Sequence, residues 1–134
     1  MKTLFELATK SIANLTILDS MKKTAIDLLS DAENNQYTQA IVLRSSKGNE
    51  YSTIVRNALS EEKSDEESLF RKIQEAKDLE IGFVLCMWQD KCLDIPSFAF
   101  RKQLLGLNEK NTETTVFVMT AGGVSEVKLS VLMK

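Results

Sequence analysis

Apolar residues recur at three- and four-residue intervals in two early stretches of the chain. Over residues 3 to 15, Leu4, Phe5, Ala8, Ile12 and Leu15 form one stripe, which predicts a short amphipathic helix. Asp19 and Ser20 are capping residues for a second helix in which Met21, Ala25, Leu28 and Leu29 share a face, ending near Glu33-Asn34-Asn35. The period then changes. Residues 39 to 43 (QAIVL) read as a strand, and a turn at Ser45-Ser46-Lys47-Gly48-Asn49 leads to a second strand at 51 to 55 (YSTIV), so the pair predicts a hairpin.

Residues 60 to 67 (SEEKSDEE) carry five acids against one lysine, a solvated loop running into a helix start, where carboxylates are favoured. That helix turns Leu69, Phe70, Ile73 and Ala76 inward and ends before Leu79. Residues 81 to 88 (IGFVLCMW) are a continuous apolar run of strand length, the pattern of a central strand covered on both faces. Pro96 and Ser97 open a helix reaching about Leu107, with Phe100, Leu104, Leu105 and Leu107 apolar. Residues 114 to 119 (TTVFVM) form a further strand and Gly122-Gly123 a turn. Residues 124 to 132 form a last strand, or a strand running into a short helical turn. The order α-α-β-β-α-β-α-β-β predicts a three-layer α/β sandwich with a mixed sheet. The expected division is a helical extension over residues 1–18 and a single domain over 19–134.

Composition narrows the chemistry. The chain has 134 residues, 43% hydrophobic and 27% charged, which suits one domain able to bury roughly two thirds of its unfolded surface. It contains no histidine, which removes Ser-His-Asp and Cys-His catalysis, His-ligated zinc and the usual base near neutral pH. A net charge of −2 without a basic tract argues against nucleic acid as partner. Glu6 and Lys10 interrupt what would be the apolar region of a signal peptide, and no apolar run is long enough to span a membrane, so a cytoplasmic protein without a membrane partner is expected. Cys86 and Cys92 do not have the spacing of a zinc knuckle or a disulfide framework. Cys86 reads as a core residue, and Cys92, beside Lys91 in a polar loop, as the one candidate for a reactive thiol. Trp88, Phe98 and Phe100 read as core or interface aromatics.

The string Pro96-Ser97-Phe98-Ala99-Phe100-Arg101 resembles the Pro-Cys-x-x-Cys-Arg stretch of the small cytidine deaminases, which are zinc nucleoside deaminases. Further strings follow in the same order. The segment 115 to 118 (TVFV), Gly122-Gly123-Val124 and Leu129-Ser130-Val131-Leu132 resemble that family's closing strand, glycine turn and ending, and Arg56-Asn57-Ala58 resembles the Glu-Asn-Ala after its first hairpin. The resemblance spans about residues 20 to 134 and implies a cytidine deaminase-like fold plus the extra N-terminal helix.

It also implies where a zinc ion and a nucleoside would be held, at the starts of two helices. The family's Cys-Ala-Glu string aligns with Asp65-Glu66-Glu67, which puts Asp65 at a ligand position and Glu67 at the proton-shuttling acid. The paired cysteines align with Ser97 and Phe100, and the nucleoside-recognising Asn and Glu with Ile54 and Arg56. Phenylalanine cannot ligate and neutral serine is a poor ligand, so no metal and no cofactor are expected. Read plainly, Glu67 is a first-turn acid, Ser97 a helix cap, and Arg101 a candidate partner for Asp65 or Glu67; Asp65, Glu66 and Glu67 supply counter-charge to the helix end. The expected function is a catalytically inactive binding or assembly module. The alternative is an enzyme of a different reaction class, acting on a nucleoside-like small molecule through Glu67, Asp65, Ser97 and Arg101. Small members of the resembled family assemble into oligomers that complete each other's sites, which implies a homo-oligomer. Phe98, Phe100 and the first helix are the expected interface.

Overall fold

A computed structural model describes residues 4–32, 36–58 and 64–133, with side chains from residue 14 onward. The expected first stripe up to Ile12, the helix end at residues 33 to 35 and the acidic stretch 60 to 63 lie outside that description.

The N-terminal segment is one continuous helix, α1 (Leu4–Asp31), where two were expected. No Gly or Pro interrupts it, so nothing in the backbone forces a break. The hydroxyl expected to cap a second helix is used outward: Ser20 Oγ donates to Glu50 Oε2 at 2.8 Å, and Thr24 Oγ1 donates to Glu50 Oε1 at 2.8 Å. At 28 residues α1 is about 42 Å long. Among its described side chains the buried stripe is Leu18, Met21, Ala25 and Leu29.

The remaining elements follow the expected order. They are β1 (Gln39–Ser45), β2 (Glu50–Val55), α2 (Ser64–Ala76), β3 (Ile81–Trp88), a two-residue β4 (Leu93–Asp94), α3 (Phe98–Leu107), a 3-10 turn (Glu109–Glu113), β5 (Thr115–Thr120), β6 (Gly123–Lys128) and α4 (Leu129–Leu132). The C-terminal segment is therefore a strand running into a helical turn. The sheet order is β2-β1-β3-β5-β6, with β4 paired to β3. β3 and β5 run parallel and the other pairs antiparallel, so the sheet is mixed.

Alternation along the strands sorts the core into two layers. Ala40, Val42, Leu85, Met87 and Phe117 face the α1 stripe. Ile41, Leu43, Val84, Cys86 and Val116 face Leu69, Phe70 and Ile73 of α2 and Phe100 and Leu104 of α3. β3 is thus covered on both sides, as its unbroken apolar run requires. Between Arg44↔Phe83 and Ser45↔Ile81 the ladder skips Gly82, and this bulge brings Ile81 to the α2–α3 side. Among the described residues no helix is long and apolar enough to cross a membrane.

Two buried polar groups fasten this frame. α2 ends at Ala76, and the positive φ of 56° at Lys77 lets the next residue turn back: Asp78 N–H donates to Ile73 O at 3.2 Å. The Asp78 carboxylate is buried and accepts from Asn49 Nδ2 at 3.0 Å and Tyr51 OH at 2.9 Å, tying the hairpin to the end of α2. Burial pushes its pKa up, but hydrogen bonds from Asn49, Ser45 and Tyr51 and the charge of Lys47 outweigh that and hold it below the ordinary carboxylate value. The chain just after this point is held by Asn111, which is fully buried. Its Oδ1 accepts from Ile81 N–H at 2.8 Å, and its Nδ2 donates to Leu79 O at 3.0 Å and Leu104 O at 2.8 Å.

Candidate functional site at the starts of two helices

The starts of α2 and α3 lie on the same side of the sheet, and the helices touch through Phe70 and Phe100, whose ring centroids are 4.8 Å apart. Phe100 has no exposed surface. It faces inward because it shares a stripe with Leu104, one turn on. Phe98, two positions earlier and so on the opposite side of α3, is 58% exposed. The expectation that both rings form interface surface therefore fails for Phe100, which belongs to the core.

Ser97 is the N-cap of α3: its Oγ accepts from Phe100 N–H at 3.2 Å, satisfying one of the unpaired donors of the first turn. Pro96 before it is buried. Arg101 is engaged by the C-terminal turn and by Phe98. Its Nη1 donates to Leu132 O at 2.6 Å, and its guanidinium carbon lies 5.6 Å from the centre of the Phe98 ring. The partner expected for it, Asp65 or Glu67, is not the one it has.

Asp65 instead pairs with Arg56. Arg56 Nη2 donates to Asp65 Oδ1 at 3.0 Å, Nε to Oδ2 at 3.5 Å, and the Arg56 backbone N–H to Oδ2 at 3.2 Å. Burial raises the Asp65 pKa, yet the Arg56 hydrogen bonds and charge prevail and lower it overall. The pair joins the end of β2 to the first turn of α2, so the two positions that align with a nucleoside contact and a zinc ligand are bound to each other. Because the Arg56 side chain is 81% exposed, the contact stabilises by at most about 1 kcal/mol. Ile54, the other aligned nucleoside position, is half-buried and packs on the α1 side.

Glu67 is exposed and lines a surface recess of about 410 Å³ with Ala99, Lys102 and Gln103. The inward acid of this turn is Glu66, which is buried and whose charge helps raise the pKa of Cys86 after burial itself. Its sequence position suggests only counter-charge to the helix end, not burial. The available signal was the stripe Glu66, Leu69, Phe70 and Ile73, spaced three, four and seven residues apart.

These contacts restrict the chemistry. Ser97 Oγ is engaged in a cap, and no imidazole exists to activate it. Cys86 is buried, with its thiol pushed far above the ordinary value. Cys92 is exposed, but its hydrogen bond to Asp90 raises its pKa, so the thiol is less ionised than a free cysteine despite Lys91 beside it. The residues present do not fit a catalytic zinc ion either. Phe100 offers no donor, Ser97 is neutral, and Asp65 is a single carboxylate already bound by a guanidinium. Among the described residues no three acidic, cysteine or histidine side chains are grouped to hold a metal ion.

No protein-family model matches the chain, and no curated protein matches it in sequence. Solved structures do match its shape. A cytidine deaminase from Bacillus anthracis superposes with a TM-score of 0.67 at 15% identity, covering 87% of this chain and 86% of that one. A cytidine deaminase from Mycobacterium leprae superposes with a TM-score of 0.62 at 16% identity, covering 87% of this chain and 96% of that one. One from Burkholderia pseudomallei gives 0.60 at 12% identity, covering 85% and 94%. The chain has the cytidine deaminase-like α/β fold, with a mixed six-stranded sheet and an N-terminal helix on one face.

Proposed function

We propose that this chain is a zinc-free, catalytically silent protein of cytidine deaminase-like fold that serves as a binding or assembly module. One observation carries the reading: both helix starts are closed by the chain's own side chains, Asp65 by Arg56 and Ser97 and Phe100 by the cap and core of α3. Deamination of a pyrimidine needs an activated water and an acid that exchanges protons with the base. Here the ligand positions supply no thiolate, and Arg56 stands where a substrate-binding carboxylate would. Reaction of another class through Glu67, Asp65, Ser97 and Arg101 is the weaker reading, because Asp65, Ser97 and Arg101 are each engaged by a different partner and Glu67 lines a surface recess apart from those contacts. Incubated with added zinc and either cytidine or deoxycytidine, the purified chain should leave both unchanged. Metal-dependent release of ammonia would overturn the proposal.

We further propose that the module assembles as a homodimer. Phe98 and Val131 are 58% and 54% exposed, and Arg101 links the Phe98 ring to the C-terminal turn that carries Val131. Exposed apolar side chains on two elements joined by Arg101 favour burial against a second copy. Light scattering should give about twice 15.1 kDa at micromolar concentration, falling toward 15.1 kDa for Phe98→Asp. A wild-type mass of 15.1 kDa throughout would contradict it.

A further inference from the structure

The carboxyl end of β3 carries a second arrangement, lined by none of the residues at the α2 and α3 starts. Tyr37 and Trp88 line a recess of about 360 Å³ together with Gln36 and Asp90. The ladder places Trp88 opposite Gln39, so the segment before β1 and the end of β3 meet here. The turn after Trp88 is tightly built. Lys91 N–H donates to Trp88 O at 2.8 Å, Trp88 N–H donates to Cys92 O at 2.9 Å, and Lys91 takes a positive φ of 72°. That turn returns Asp90 to the recess, and Cys92 N–H donates to Asp90 Oδ1 at 3.0 Å, which orients the carboxylate.

Trp88 is fixed as well. Its Nε1–H donates to Asp94 Oδ2 at 2.9 Å. A carboxylate accepting from the indole N–H pushes electron density onto the ring, which strengthens the attraction of its face for a cation. The recess therefore joins two electron-rich rings with an oriented anionic group, and no lysine or arginine lines it among the described residues. An ammonium ion with an apolar coat suits both kinds of wall: its charge is attracted by the rings and by Asp90, and its alkyl groups fill the apolar lining. An inorganic cation would lose more hydration than two rings and one carboxylate return.

We propose that this recess binds an organic ammonium ion, of the quaternary or methylated amine class, between Tyr37, Trp88 and Asp90. Trp88 is the sole tryptophan, so its fluorescence reports on the site directly. The full-length protein titrated with tetramethylammonium or choline should show a saturable change in Trp88 emission and a shift of its indole N–H resonance. The uncharged alcohol in which carbon replaces the quaternary nitrogen of choline should bind at least about fivefold more weakly, and Asp90→Asn should weaken choline by a similar factor at low salt. The alcohol arm uses unaltered protein, so a folding defect in the variant cannot imitate it. The proposal is overturned if neither probe changes emission or resonance, if sodium chloride reproduces the change, or if the alcohol or Asp90→Asn matches choline on wild-type protein.

Discussion

Phe100→Ala should destabilise the fold by about 3–5 kcal/mol, whereas Phe98→Ala should cost less than about 0.5 kcal/mol in the monomer. The two rings belong to one helix and differ only in the side they face. Phe100 is wholly buried against Phe70, so its removal loses transfer free energy and leaves a cavity where α2, α3 and the sheet meet. Phe98 loses little because most of its surface already meets solvent. Urea unfolding of both variants at a concentration where they are monomeric measures the difference. Equal midpoints would mean that Phe100 is not structural, and the reading of this position as core in place of a ligand would fall with it.

Asn111→Ala should be comparably severe, at about 3–5 kcal/mol, which lowers the melting temperature by roughly 10 °C or more. The side chain is fully buried and makes three hydrogen bonds to backbone groups of Leu79, Ile81 and Leu104. Truncation leaves each without that partner, the Ile81 and Leu104 groups in buried surroundings, and a buried unsatisfied group costs about 1–3 kcal/mol. Lys110→Ala beside it, on an exposed residue, should be nearly neutral. Calorimetric melting of the two variants checks the contrast, and a mild Asn111→Ala would show that the strand starts are held by packing alone.

Much of the fold could be read from local pattern. The unbroken run of β3 demanded two covered faces, the Gly48 turn a hairpin, and the Pro96-Ser97 pair a helix start; each signal depends on neighbours within a few residues. Part of what escaped depends on partners far along the chain, and part on which way a near neighbour points. Asp19-Ser20 has the chemistry of a cap, but Glu50, some thirty residues on, takes the Ser20 hydroxyl, and α1 continues. The aligned strings offer Arg101 an acid on α2, while the α4 carbonyl of Leu132 accepts from it. Asp90, two residues before Cys92, raises that thiol where Lys91 suggested activation. At the α2 start, alignment by motif selected Glu67, although the helical stripe turns Glu66 inward. Aligned strings locate a site to within a residue; which side chain enters it is decided by the helix phase.

Metal content tests most directly whether protein groups close the helix starts. Chain expressed with excess zinc, purified and freed of loosely bound ions should contain far less than one zinc per 15.1 kDa. One tightly held zinc per chain, with its anomalous signal between the starts of α2 and α3, would contradict it.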